Sequence, residues 1–204
     1  MSGRARRALL HQARGVASLW WWVRGRRQDV GPGDVALGHA RDRTSMTVAL
    51  AGVLAVEAAV VGFLVPWPAV HVLDALAVLQ VLGVAAIAVT RPHYLHDDVL
   101  VLREGALFEV RVPLASVAAV RVDRRLHSGR TRELTARPGP EGGAELSIAA
   151  GNQTDVLLVL SEPVTVADPG GPTGEAVAVR FRADEPHAAV AAIKTAAARA
   201  AHRP

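Results

Sequence analysis

The sequence predicts a two-part protein, a membrane α-helical hairpin followed by an α+β or all-β domain of seven strands closed by a C-terminal helix. Three observations lead there. Two apolar runs of 20 residues, Met46 to Val65 and Val70 to Val89, stand almost back to back. After Arg91 they give way to short period-two segments bounded by turn residues. Half of the 204 residues are hydrophobic and the mean hydropathy is +0.24, which tilts the composition toward the membrane class. Cysteine is absent, which excludes disulfide scaffolds, Cys-ligated metals and thiol nucleophiles.

Charge is concentrated at the start of the chain. Residues 1–28 hold seven Arg and no acid, so the pI of 10.8 is an N-terminal property. Across residues 5–24, Leu9, Leu10, Ala13, Val16, Ala17, Trp20 and Trp21 share one helical face, with Arg7, His11, Arg14 and Ser18 on the other. Trp20, Trp21 and Trp22, flanked by Arg14, Arg24, Arg26 and Arg27, suit the headgroup region of an anionic membrane, where indole and guanidinium are both well solvated. Residues 1–28 therefore read as a basic amphipathic interfacial helix. Anionic lipid is the expected partner and nucleic acid is not. Residues 29–44, with Gly31-Pro32-Gly33 and Gly38, read as a linker.

The hairpin occupies 45–90. At 1.5 Å rise per residue, 20 residues cover roughly 30 Å, the thickness of the hydrocarbon core. Neither run carries the polar stripe that a helix of a soluble bundle needs, and Pro66-Trp67-Pro68 supplies a tight turn at interfacial depth. Nine Arg precede the first span, none lies in the turn, and Arg91 follows the second. Positive-inside bias then places both termini in the cytoplasm and the protein in an inner membrane. Polar groups interrupt the spans at Glu57, His71, Asp74 and Gln80. An ionised carboxylate at the midplane costs about 2.5–3.5 kcal/mol on insertion scales, so Glu57 is expected neutral or hydrogen-bonded, with Gln80 at similar depth as a partner. Asp74 and His71 are expected to pair near the outer interface, and Ala51, Ala55, Ala58 and Gly62 form a small-residue stripe for close helix approach.

In residues 91–204, strands are expected near 99–103, 106–112, 117–123, 131–137, 145–149, 154–160 and 176–182. Asp184 then reads as a cap and Pro186 as a first-turn residue of a closing helix with a stripe at Val190, Ile193 and Ala197. Pro138-Gly139-Pro140 and Asp168-Pro169-Gly170-Gly171-Pro172 read as mobile loops.

Tyr94-Leu95, the run Leu100 to Phe108 and the run Val112 to Val120 resemble bacterial pleckstrin-homology-like (PH-like) domains placed after a membrane hairpin. The match is specific over 94–122. The full arrangement also looks like an uncharacterised two-span membrane protein family of GC-rich bacteria. The resemblance implies a seven-stranded, partly open barrel capped by the C-terminal helix, and a binding or scaffold role without a catalytic residue. Phosphoinositide-binding members of the superfamily concentrate cations around the first hairpin. Here Arg103 and Arg111 are diluted by Glu104 and Glu109. The stronger basic cluster is Arg121, Arg124, Arg125, His127, Arg130 and Arg132, on a loop facing the inner leaflet or an acidic partner.

His93-x-x-His96-Asp97-Asp98 has metal-like composition, but on a strand residues i and i+3 point to opposite faces and Asp97-Asp98 reads as a turn. No metal, cofactor or catalytic residue is expected. The function expected is non-enzymatic, a membrane protein presenting a binding domain, in a homo-oligomer or with a protein partner. The alternative is a small subunit of a transport or proton-conducting complex that uses the intramembrane carboxylates.

Overall fold

The computed structural model describes residues 3–65, 67–128, 131–136, 142–167 and 173–202, and nothing further is said of the rest. The chain divides into two compact units. One comprises residues 1–28 and 41–91, and the other residues 29–40 and 92–204.

The first unit is helical. Helix α1 runs Gly3–Val23, α2 Arg41–Leu64 and α3 Pro68–Thr90. Helix α1 ends in a Schellman motif: Gly25, at φ +62°, donates from its N–H to the Trp22 carbonyl, while the Arg26 N–H reaches Trp21 O. Glycine takes this left-handed position without a Cβ penalty. The reversed chain then docks on α3 through the Gln28 N–H to Thr90 O bond, 2.7 Å.

α2 and α3 pack antiparallel along a seam with 3.5-residue spacing. Ala51, Leu54, Ala58 and Val61 on α2 are more covered than their neighbours, as are Val70, Asp74, Val78, Val81 and Ala85 on α3. Gly62 is level with His71: a Cβ there would lie 2.7 Å from the imidazole. α1 meets α3 at Gly15 and Gly83, whose backbones come within van der Waals reach of an added Cβ. Ser18, assigned by the helical pattern to the solvated face of α1, is instead buried and accepts a hydrogen bond from Gln28 Nε2 at 3.0 Å.

The second unit holds nine strands among the described residues, not seven, in two sheets that do not close into a barrel. The first sheet is β1 (Val35–Leu37), β2 (His93–His96), β3 (Val99–Glu104) and β4 (Phe108–Pro113), paired antiparallel in that order. The second contains β5 (Val117–Leu126), β6 (Arg132–Ala136), β7 (Ala144–Ile148), β8 (Gln153–Ala167) and β9 (Thr173–Phe181), in the order β5-β8-β9-β7-β6. Its one parallel contact is β7 on β9. A 3-10 turn at Leu114–Ser116 joins the sheets, and α4 (Pro186–Ala201) follows β9. All seven expected strands are present. The two additional ones are β2, whose four residues are too few for a periodic signal, and β1, which corrects the linker reading of 29–44.

β1 is held by long-range partners that its own sequence does not advertise. Asp34 meets His96 at 2.8 Å, and the Asp184 N–H donates to Gly38 O at 2.7 Å. The Asp184 carboxylate also accepts from the Ala40 N–H at 3.3 Å, so Asp184 pins this segment, and the N-cap position of α4 is Glu185. A Cβ on Gly38 would fall 2.6 Å from Asp184 Oδ2, so only glycine admits this approach. Pro186 sits in the first turn of α4 as expected. One core joins both sheets and α4, with Leu100, Leu102, Phe108, Leu158, Phe181 and Ile193 essentially fully buried. The proline- and glycine-rich segments read as loops, 138–140 and 168–172, lie outside the described residues.

Candidate functional site

Strand alternation splits the second sheet into an apolar face on the core and a charged face opposite. On β9, Val179 and Phe181 join the core and Arg180 projects the other way, as does Arg182 just beyond the strand. The same rule puts Arg121 and Asp123 of β5, Asp155 of β8 and Glu145 of β7 on the charged face. Arg180 is its centre. Only 4% exposed, it donates from Nε to Glu145 Oε1 at 2.8 Å, from Nη2 to Asp123 Oδ2 at 3.1 Å and from Nη1 to the Asp123 carbonyl at 3.2 Å. The Arg180 guanidinium holds the Asp123 carboxyl below its ordinary value. Asp155, also buried, accepts from Gln153 Nε2 at 2.6 Å and lies 3.2 Å from Arg182 Nη1.

This network rearranges the expected basic loop. Arg121, Arg124 and Arg125 are on strand β5, with a register irregularity between Val122 and Arg125, and each leans on a carboxylate: Arg121 on Asp123 at 3.5 Å, Arg124 on Asp155 at 3.6 Å, Arg125 on Glu145 at 3.4 Å. Arg132 belongs to β6, meets Glu104 at 3.3 Å and stacks over the Phe108 ring. His127 pairs with Thr154 Oγ1 at 2.9 Å; burial, reinforced by the Arg125 and Arg180 charges, lowers its pKa. Arg130 lies outside the described residues. Five guanidiniums thus meet three carboxylates across β5, β7, β8 and β9. Arg121, Arg124 and Arg125 remain 52–68% exposed at the side chain, long cations presented to solvent on a rigid sheet.

In the first sheet, Arg103 and Arg111, the cations around its hairpin, are paired with carboxylates. Arg103 is 3% exposed and donates to Glu109 at 2.9 Å, Asp29 at 3.1 Å and Tyr94 Oη at 3.3 Å. Arg111 shares Glu109 at 3.0 Å. Beside them, His93 is buried, stacked on His39 at 4.1 Å between ring centroids and edge-on to Phe181 at 5.4 Å. Its Nδ1 accepts the Arg103 N–H at 3.0 Å, so the neutral ring carries its proton on Nε2. Burial, then the His39 ring, holds the His93 pKa well below 6.5. His96 is 60% exposed at its side chain and lies on the opposite side of β2, so the two histidines do not converge. Asp97, at φ +48°, makes the turn to β3. A cleft of about 160 Å³ bordered by Gly33, Val35, Leu95, Asp97, Asp98, Ala196 and Arg199 is small against the 300 Å³ or more of ordinary ligand pockets.

In the helical unit the expected polar pairs do not form. Glu57 and Gln80 are both exposed and share no hydrogen bond among the described residues, because each precedes a seam position by one residue and turns away from the partner helix. The register adds to this. Glu57 is level with Leu76, and Gln80 lies four residues deeper, about 6 Å. His71 sits against Gly62 and does not bond Asp74, whose Oδ2 is buried in the seam without a hydrogen-bond partner. Within the small-residue stripe Ala51 is buried and Ala58 and Gly62 are half-buried, but Ala55 is exposed.

On α1, Leu9, Val16, Trp20 and Val23 stay exposed, and Arg24 stacks over the Trp20 ring at 3.8 Å. Arg14, Arg26 and Arg27 are exposed, Trp21 and Trp22 half-buried, and the Arg7 side chain lies outside the described residues.

Sequence reasoning missed Arg180, Glu145, Asp155 and the His39–His93 stack. The signal for the first was present in Val177-Ala178-Val179-Arg180-Phe181-Arg182, where the alternation itself sends the two arginines to the face opposite Phe181. The His stack joins residues 54 positions apart and leaves no local trace. Comparison of the chain with protein-family models, with curated proteins and with solved structures finds no match to any of them.

Proposed function

We propose that this chain is a non-enzymatic membrane anchor that holds a sheet-built binding module at the cytoplasmic face, the module engaging an acidic protein partner through Arg121, Arg124 and Arg125 of β5. One observation carries the reading. α2 and α3 are long and apolar enough to cross a membrane, yet only 6% and 22% of their most apolar windows are buried. Phe63 is 95% exposed, Met46 79% and Leu64 76%, with Val53, Val56, Leu73 and Leu76 all above half. Leaving a large aliphatic side chain in water instead of burying it forgoes about 1.5–3 kcal/mol. A dozen such side chains would outweigh the 5–15 kcal/mol that stabilises a whole domain, and a bilayer removes that cost.

Orientation follows from charge. Arginines cluster before the first apolar run, Arg91 directly follows α3, and Trp67 lies between the helices at the turn. α1 contributes exposed apolar side chains and unburied arginines suited to anionic headgroups. The binding role rests on the charged face of the second sheet: buried Arg180 and Asp155 fix the strands, and the three exposed β5 arginines stand on that rigid support.

Two measurements on the full chain in native membranes test this. Alkaline carbonate extraction is expected to leave the protein in the pellet, and release into the supernatant overturns the anchor. Crosslinking is expected to capture a cytoplasmic protein partner, with capture reduced at least tenfold by the combined Arg121→Gln, Arg124→Gln, Arg125→Gln variant and unchanged by Glu57→Gln. Capture lost only with Glu57→Gln points instead to a subunit of a conduction complex.

A further inference from the structure

On the helix pair Glu57 and Gln80 are polar side chains that do not bond each other, and their geometry says what can meet them. On α2 the residues just before the seam positions are Leu50, Val53, Glu57 and Val60, a second 3.5-residue row about 100° from the first. All are exposed. On α3 the corresponding row contains Leu73 and Gln80, likewise exposed. Because the two helices run in opposite directions, the residue preceding a seam position turns to the same side on both. Glu57 and Gln80 therefore stand on one broad face of the hairpin. α1 packs on α3 at Gly83 and Ile87, while Leu73 and Gln80, nearer the turn, stay exposed.

From this we infer that the face bearing Glu57 and Gln80 is a homodimer interface, packed on the same face of a second copy in the membrane. The inference rests on the reading of α2 and α3 as membrane spans. A single polar residue within an apolar heptad row sets register and partner number at the cost of some stability, and polar side chains across transmembrane helices hydrogen-bond one another.

A second copy is the occupant that the chemistry selects. A carboxylic acid and a primary amide each donate and accept, so the face is complementary to itself. A two-fold axis along the membrane normal places α3 of one copy opposite α2 of the other while preserving depth, so the 6 Å axial offset between Glu57 and Gln80 is unchanged. Within one chain the two side chains project in parallel and miss. Between two chains they project toward each other, and two extended side chains span that offset.

The chain has no cysteine, so introduced cysteines report proximity without background. With full-length protein in native membranes and an added oxidant, disulfide-linked homodimers are expected for the paired variants Val60→Cys, Leu73→Cys and Leu50→Cys, Val84→Cys, in which a row position on α2 faces one at a similar level on α3 of the second copy. At least fivefold less dimer is expected for the pair Leu54→Cys, Val78→Cys, which faces the partner helix within one chain. In the Val60→Cys, Leu73→Cys background, Glu57→Gln should retain crosslinking and Glu57→Leu, or Gln80→Leu, should reduce it at least threefold. Crosslinking without this pattern, no homodimer with any pair, capture of a different membrane protein, or full retention in Glu57→Leu each overturns the inference. Carbonate extraction of the same membranes separates the two failures: protein in the pellet without dimers rejects the interface alone, whereas release of the protein rejects the anchor beneath it.

Discussion

Among the described residues, the most deeply buried imidazole of the sheet unit is that of His93, and it couples folding to pH. Buried, stacked on His39 and accepting the Arg103 N–H, it is held neutral, its pKa pushed well below 6.5 by desolvation and then by the neighbouring ring. The unfolded chain takes up a proton near pH 6.5 that the folded chain refuses, so stability is full above that value and falls as the pH drops below it. His96 runs the other way. Asp34 raises its pKa, so its contribution is present below 6.5 and lost as pH rises through the raised value. That pair is solvent-exposed on the His96 side and screened, whereas His127, its pKa also lowered by burial, adds to the fall in the same direction as His93. Lowering the pH from 7.5 to 5.5 is expected to cost about 1–1.5 kcal/mol, read as a fall in Tm of the detergent-solubilised protein. His93→Gln is expected to flatten that fall while lowering the Tm at pH 7.5. An unchanged slope in the variant contradicts the assignment.

Among the elements, β9 carries both the core and the charged face, and Arg180 shows how tightly the two are coupled. Its guanidinium bridges β5 to β7 across β8 and β9 by way of Asp123 and Glu145. Removing one partner of a buried ion pair costs about 3–5 kcal/mol, because the other charge is left buried without compensation. Arg180→Met is expected to approach the lower figure, since Arg125 remains on Glu145. The double variant Arg180→Met, Glu145→Leu is expected to recover part of the loss in a denaturation cycle; strictly additive effects contradict a shared network. These elements were legible to different degrees. β3 through β9 follow from their alternation, and the apolar helices from their length, because both signals are local. β1 was not legible, because three residues become a strand only through Asp184, His93 and His96, far along the chain. The separation of Glu57 from Gln80 was equally hidden: depth can be counted along a sequence, but the azimuth of each residue depends on which row becomes the seam.

At the level of the whole chain, the account assigns each region by the solvent it can tolerate. The seven arginines of residues 1–28 and the exposed apolar side chains of α1 suit a headgroup layer, α2 and α3 suit hydrocarbon, and the sheet unit with its core and charged outer face suits water. The expected seven-stranded, partly open barrel is instead two sheets that share a core without joining edges, with β7 reaching β9 in parallel. The binding proposal accordingly rests on the β5 arginines and not on a barrel mouth. Every functional statement depends on the hairpin passing through lipid and returning. The most direct measurement is labelling of single-cysteine variants in intact host cells by a membrane-impermeant maleimide, with Trp67→Cys at the turn and His202→Cys after α4. The account predicts that Trp67→Cys labels in intact cells and that His202→Cys labels only after the cells are opened. Labelling of both positions, of neither, or of His202→Cys alone in intact cells contradicts it.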